Sequence, residues 1–390
     1  MGLLSEYIQK KLGVVELEKE LMRLIKEYNK LRNSFLLVYS ACLEKPIPNI
    51  SLNMDDYYII FDFLKNTGVK NLDVYIETPG GSGEAAEEIV EYIHKKFDKV
   101  SFIVSGEAKS AGTLMVLCGH EILMTESGSL GPIDAQIRIG RSTVSAYDYM
   151  EWVDEKRKEA VKNDKLNPFD ATMVAQISPG ELNGVSNALD FAKDLVIEWL
   201  PKYKFKNWIK TETTKKVVTE EMKKKRAEQI VKELINHKKW RSHGRSLKIN
   251  ELENMGLKIT KIDDDQKLAD IVYRIQTVIK LIFHSSNTYK ITATEKEKIV
   301  GIANPIGKPV NLQPKEPEVV ELDVVCPKCG KHYKLYAKFI PNAKIDQDFQ
   351  KKGFKKFPTN NKLNCECGFE IDLTPIRGQI ESQTGKKIID

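Results

Sequence analysis

Glu77-Thr78-Pro79-Gly80-Gly81-Ser82-Gly83, followed about 26 residues later by Ala108-Lys109-Ser110-Ala111-Gly112-Thr113, is the pair of segments on which the fold turns. Asp73-Val74-Tyr75-Ile76 reads as a buried strand, Pro79-Gly80-Gly81 as a turn, and Glu84 to Phe97 as a helix with Ala85, Ala86, Ile89, Val90 and Ile93 on one face. The next unit repeats the pattern. Val100-Ser101-Phe102-Ile103-Val104 is a strand, and Ser110 stands where a helix through Leu114, Met115 and Leu117 begins.

Glycines in the first turn leave backbone N–H groups uncovered. At the start of the second helix, free N–H groups and the helix dipole stabilise negative charge on a nearby oxygen. A serine placed there is activated, and its neighbour's amide can help to hold a tetrahedral intermediate. Two plainer readings compete. A strand, a glycine turn and a helix could cradle phosphate, but Gly80-Gly81-Ser82-Gly83 lacks the G-x-G-x-x-G spacing and no Walker lysine follows. Ser110 alone could be a helix cap.

Together with Ser129-Leu130-Gly131-Pro132-Ile133-Asp134-Ala135-Gln136, the two blocks resemble the motif set of the serine dehydrogenase proteinase family, relatives of signal peptide peptidase A and the Clp proteolytic subunit. A fourth block, Ser242-His243-Gly244-Arg245 through Glu251 to Gly256-Leu257, fits the end of the same fold, so the resemblance covers about residues 34–285. It implies an α/β class: a Clp/crotonase-like core of stacked β-β-α units, in keeping with the alternating periodicity. It also implies that Ser110 is the nucleophile and that the N–H groups of Gly81 and Ala111 form an oxyanion hole.

The base departs from the family pattern. The position that carries a histidine in the Clp subunit falls on Asp134, and the position that carries its aspartate falls on His243. The two partners are therefore expected to have exchanged places, His243 taking the proton of Ser110 while Asp134 orients the imidazole. Roles follow geometry and not chain order, and an aspartate at its usual pKa is a poor base for serine. The Ser–Lys pairing of signal peptide peptidase relatives leaves Lys156, Lys158 and Lys162 as competitors, on a helix read from Ser145 to Lys162. Lys109 directly precedes the serine, so its side chain should diverge and serve structure. A surface role remains the plain reading of His243.

Cys326-Pro327-Lys328-Cys329-Gly330 and Cys365-Glu366-Cys367-Gly368 are two close cysteine pairs, each followed by glycine. Cys326, Cys329, Cys365 and Cys367 suit a structural, tetrahedral Zn²⁺ in a small ribbon. Disulfides are disfavoured because nothing at the N-terminus resembles a secretory signal. The lysines around the pairs leave nucleic acid as a conceivable but unsupported target, and a protein partner fits equally.

The chain has 390 residues, 41% hydrophobic, with a net charge of +6, enough for two or three domains. The division read is an amphipathic helix (1–33), a Clp/crotonase-like domain (34–285), a linker (286–320) and a Cys₄ zinc ribbon (321–390). Leu17, Leu21, Leu24, Tyr28 and Leu31 form a seam on the first helix, for a partner or for the core. No apolar run is long enough to span a bilayer, which, with reduced Cys42 and Cys118, predicts a cytoplasmic protein. A homo-oligomeric serine peptidase acting on peptides or unfolded chains is the expected function. A Clp-like scaffold that has lost its base, using the ribbon for recognition, and an acyl-CoA enzyme of the crotonase type are the alternatives.

Overall fold

In the computed structural model, which describes residues 2–133, 135–139, 142–303, 318–384 and 386–389, the alternating pattern becomes a seven-stranded sheet. Helices α1 (Leu3–Gln9) and α2 (Val14–Arg32) precede β1 (Phe35–Ala41), α3 (Met54–Leu64), β2 (Asn71–Glu77), α4 (Gly83–Lys96) and β3 (Lys99–Val104). Next come β4 (Glu107–Ala108), α5 (Ala111–Leu117), β5 (Glu121–Met124), β6 (Ser129–Leu130) and a hairpin of β7 (Gln136–Ile139) and β8 (Ser142–Ser145). Later in the chain are β9 (Thr260–Lys261), β10 (Thr288–Ala293) and β11 (Lys298–Ile302). The sheet order is β11-β10-β1-β2-β3-β5-β9, with β1, β2, β3, β5 and β9 parallel and the β10–β11 hairpin antiparallel at one edge.

Both faces are covered, which is why these strands read as near-continuous apolar runs, interrupted only by buried polar residues such as Asp73 and Ser101. Leu37 and Tyr39 of β1, Val74 and Ile76 of β2, and Phe102 of β3 face one core, built with α3, α4, α5 and the helices Pro179–Trp199 and Glu220–Leu234. Leu36, Val38, Tyr75 and Ile103 face the other, where α2 lies against the helix Gln266–Ser285. The α2 seam is thereby satisfied within the chain: Leu17, Leu21, Leu24 and Tyr28 are buried among Ile271, Ile275 and Ile279. Leu31, the last residue of the expected seam, is exposed.

The expected linker over 286–320 is corrected by the sheet itself. Residues 288–302 form its edge hairpin, β10 pairing with β1. The strand is hidden in sequence because Lys290, a polar residue, is buried: its Nζ lies 2.9 Å from Asp56 Oδ2 and donates to the Ser51 carbonyl at 3.0 Å. Tyr39 also donates to Asp56, at 3.0 Å. This network fixes the residues just before and after Leu52.

The chain divides into two units, Met1–Asn304 and Pro305–Asp390. In the second, β12 (Val319–Val325), β13 (His332–Lys338) and β14 (Lys355–Lys356) form one small sheet, and β15 (Lys362–Asn364) and β16 (Glu370–Asp372) form a hairpin. Its own core gathers Val324, Tyr333, Leu335, Leu363, Ile371 and Leu373.

One half-buried titratable group, His94 of α4, faces the residues that follow the Pro179–Trp199 helix. His94 stacks on Tyr203 with ring centroids 3.5 Å apart, and its Nε2 has no hydrogen-bond partner. Burial, with His120 nearby, pushes its pKa down to about 3. The unfolded chain therefore takes up a proton near pH 6.5 that the folded chain refuses until about pH 3, so this contribution is present above pH 6.5 and is lost as pH falls. Urea unfolding at pH 7.5 and 4.5 is expected to show an extra loss of about 3 kcal/mol that disappears in His94→Leu.

Candidate functional site

Four segments meet in a second, short ladder beside the main sheet. β4 pairs with β6 in parallel, Thr78 bridges to Ala108, and Leu130 bridges to Leu247. Thr78 N–H donates to the Glu107 carbonyl (2.8 Å) and Lys109 N–H to the Thr78 carbonyl (3.0 Å). Leu130 and Leu247 exchange both backbone bonds, at 3.0 and 2.9 Å. The diglycine turn, Ser110 and the loop of His243 thus leave one ladder as close neighbours.

Glycine is required in that turn by space as well as by φ. Gly80 (φ +98°) could not carry a Cβ, which would sit 2.6 Å from Ser110 Cβ and 2.7 Å from the Lys109 carbonyl. Gly81 (φ +148°) presses on Leu52, whose N–H donates to the Gly80 carbonyl (2.8 Å) and whose carbonyl accepts from Ser82 (2.9 Å). That bridge leaves the Gly81 N–H outside its pattern.

Ser110 stands at the mouth of α5 with φ +50° and ψ −118°, a left-handed backbone that a residue with a side chain adopts at a cost of about 1–3 kcal/mol. Its hydroxyl makes no capping bond to the helix, so the cap reading is set aside. The carbonyl of Ser110 accepts from Leu114, and Gly112 N–H is taken by the Lys109 carbonyl. Ala111 provides the first N–H of the helix, one of the donors that lack an intrahelical partner. Thr113, fully buried, donates to the Ala108 carbonyl (2.8 Å) and accepts from Gly131 N–H (3.0 Å), locking α5 to the block after β6.

A cleft of about 700 Å³ opens over these groups. Gly81, Ser110 and Ala111 line it together with His243, and Ala188 and Phe191 of the Pro179–Trp199 helix form an apolar wall. His243 is half-buried in a turn closed by Arg245 N–H on the Ser242 carbonyl (3.1 Å). Asp134 lies outside the described residues. Among the competing lysines, Lys156 pairs with Asp170 (2.7 Å) and Glu159 (2.9 Å), which hold its pKa above the ordinary lysine value. Lys158 and Lys162 are exposed, and none of the three lines the cleft. Lys109 does turn away from Ser110, as expected, but into a polar nest that sequence could not show. It is 5% exposed, and its Nζ lies 2.9 Å from Ser246 Oγ and 3.2 Å from the Leu130 carbonyl. The apolar wall was also unforeseen, since nothing in the 179–199 periodicity says which face meets the cleft.

In the second unit, Cys326, Cys329, Cys365 and Cys367 place their sulfurs within 4.8 Å of one another. Cys326–Cys367 and Cys329–Cys365 are 3.8 and 3.5 Å apart, close to the edge of about 3.8 Å for a tetrahedron with Zn–S bonds of about 2.3 Å. Gly330 (φ +73°) and Gly368 (φ +82°) turn each knuckle, and Tyr333 donates to Cys365 Sγ at 3.2 Å, lowering that thiol. The donor set fits a thiophilic metal ion.

A serine at a helix mouth beside a diglycine turn, within an α/β core, is the arrangement that the sequence resemblance predicts. The family model for ClpP-like SDH-type serine proteinases matches residues 46–193, and over that stretch, less than half of the chain, the resemblance read from sequence stands. Uncharacterized protein MJ1495 of Methanocaldococcus jannaschii is 36% identical over 66 residues, 17% of this chain and 23% of its own length. Uncharacterized protein MJ0137 of the same organism is 30% identical over 118 residues, 30% of this chain and 38% of its own length. The chain thus matches less than two fifths of either relative. A solved mutant of the 1510-N membrane-bound stomatin-specific protease is 15% identical, covering 57% of this chain and 79% of that one, with a TM-score of 0.32, too slight a likeness to argue from.

The crowding at Gly80 has a measurable consequence. Gly80→Ala is expected to cost at least about 2 kcal/mol in chemical unfolding. Gly184→Ala, a helical glycine whose added methyl meets open space, should instead be neutral or gain up to about 1 kcal/mol.

Proposed function

We propose that the chain is a serine peptidase acting through an acyl-enzyme on Ser110. The observation that carries this reading is the strained, uncapped Ser110 at a helix mouth, across a cleft from His243 and against the diglycine turn. Ser110 Oγ attacks the carbonyl carbon of the scissile bond as His243 takes its proton. The oxyanion is received by the N–H groups of Gly81 and Ala111. His243 then protonates the leaving amine, the C–N bond breaks, and a water activated by the same imidazole hydrolyses the ester. Asp134 is assigned to orient and charge-balance the imidazole.

Peptides or unfolded chains are the proposed substrates, and a homo-oligomer the working form. No described helix is long and apolar enough to cross a membrane, and a cytoplasmic site of action is proposed. Zn²⁺ is the metal proposed for the four cysteines, where it would supply folding energy to a module with a small core.

A fluorophosphonate probe tests the reading directly. It should label the full chain, Ser110→Ala should abolish labelling, and His243→Ala should slow it by about three orders of magnitude. An assembled protein that takes no label would favour the scaffold, and binding of CoA thioesters without labelling would favour acyl-CoA chemistry. Separately, Cys326→Ser or a strong chelator is expected to remove about one zinc per chain by mass spectrometry and to unfold the ribbon. Ser110 labelling should persist.

A further inference from the structure

The loop that carries His243 has little structure of its own: Arg241, Ser242, Gly244 and Arg245 are exposed. It is fastened at its C-terminal end, by the Leu247 bridge and by Lys248 Nζ on the carbonyls of Ser127 (2.6 Å) and Gly128 (3.1 Å). Between that anchor and His243 stand Gly244, Arg245 and Ser246, and the last two are held by one lysine amine. Lys109 Nζ lies 2.9 Å from Ser246 Oγ and 3.4 Å from the Arg245 carbonyl. The same atom reaches the Leu130 carbonyl (3.2 Å) and Ser129 Oγ (3.4 Å) of β6, with Glu107 Oε2 at 3.9 Å as its counter-charge.

We infer that Lys109 is a positioning residue, which through Ser246 and Arg245 sets where His243 stands relative to Ser110. The inference rests on the peptidase reading above. Three observations join in it. Lys109 is bonded covalently to Ser110, so a constraint on its side chain is a constraint on the nucleophile's backbone. Its acceptors belong to two other segments, β6 and the histidine loop, so one group fixes three chain segments. Gly131 permits the approach, since a Cβ there would fall 2.8 Å from Lys109 Cδ. Burial lowers the Lys109 pKa while Glu107 opposes the shift, and Ser110 is not among the hydrogen-bond partners of its Nζ. With its hydrogen bonds directed to β6 and the histidine loop, this side chain holds geometry and does not reach the serine hydroxyl.

The test measures fluorophosphonate labelling rates of the full chain, Lys109→Met, Ser246→Ala and His243→Gly, with and without free imidazole, alongside thermal unfolding. Lys109→Met is expected to label about 100-fold more slowly and Ser246→Ala about tenfold. Added imidazole should accelerate Lys109→Met, as it should His243→Gly, because a diffusing base replaces one held out of place. A purely structural lesion would not respond in that way. An unlabelled parent protein sinks the peptidase reading and this inference with it. A labelled parent whose Lys109→Met and Ser246→Ala variants react at its own rate sinks the inference alone. So does a slow Lys109→Met that ignores imidazole while Ser246→Ala is unchanged, since Lys109 would then act on Ser110 itself. Where Lys109→Met fails to fold, Ser246→Ala decides.

Discussion

Backbone hydrogen bonds that tie Thr78 to Ala108, Ala108's strand to Leu130's, and Leu130 to Leu247 are the constraint on which the site depends. Each segment comes from a different part of the chain, and none has an apolar core of its own to hold it in place. The ladder brings them side by side, and the turn packs against Ser110 so closely that a Cβ on Gly80 would fall 2.6 Å from the serine Cβ. The left-handed Ser110 is tolerated because its neighbours on both sides are already committed: Lys109 to Thr78 by backbone and to Ser246 by side chain, and Leu114 to the first turn of α5. Local strain persists where surrounding structure over-determines the backbone.

A second support reaches the cleft from the opposite edge of the sheet. Asp56 receives Lys290, Tyr39 and the Asn53 N–H, all buried or half-buried. The residues so fixed flank Leu52, which in turn bridges Gly81. An ion pair in such a place contributes little net stability over an apolar substitute, yet removing one partner leaves a buried charge. Its value here is positional: the edge hairpin and the diglycine turn are mechanically joined.

The glycine turn, the serine at the helix mouth and the cysteine pairs were legible because each depends on residue identity at a fixed spacing. β2, α4, β3 and α5 lie within a residue or two of where apolar periodicity puts them. What escaped was whatever rests on buried polar groups. β10 reads as linker because Thr288, Lys290 and Thr292 are polar yet buried, Lys290 through its bonds to Asp56 and Ser51, and no periodicity rule separates them from a solvated stretch. Lys109 could be expected to point away from Ser110, but its destination depends on segments about 20 and 137 residues distant. Leu31 continues the spacing of the seam and is exposed, in the last turn of α2 before the left-handed Asn33.

The first long helix of this domain lies on the last one, and β1 pairs with β10 about 250 residues later. Folding therefore has to close nearly the whole loop before either half of that core is complete, and such long-range closure slows the search for the native state. On the ribosome, α2 emerges with its leucines uncovered and must wait for the helix Gln266–Ser285. During synthesis, that interval is when the nascent chain most needs shelter from its neighbours.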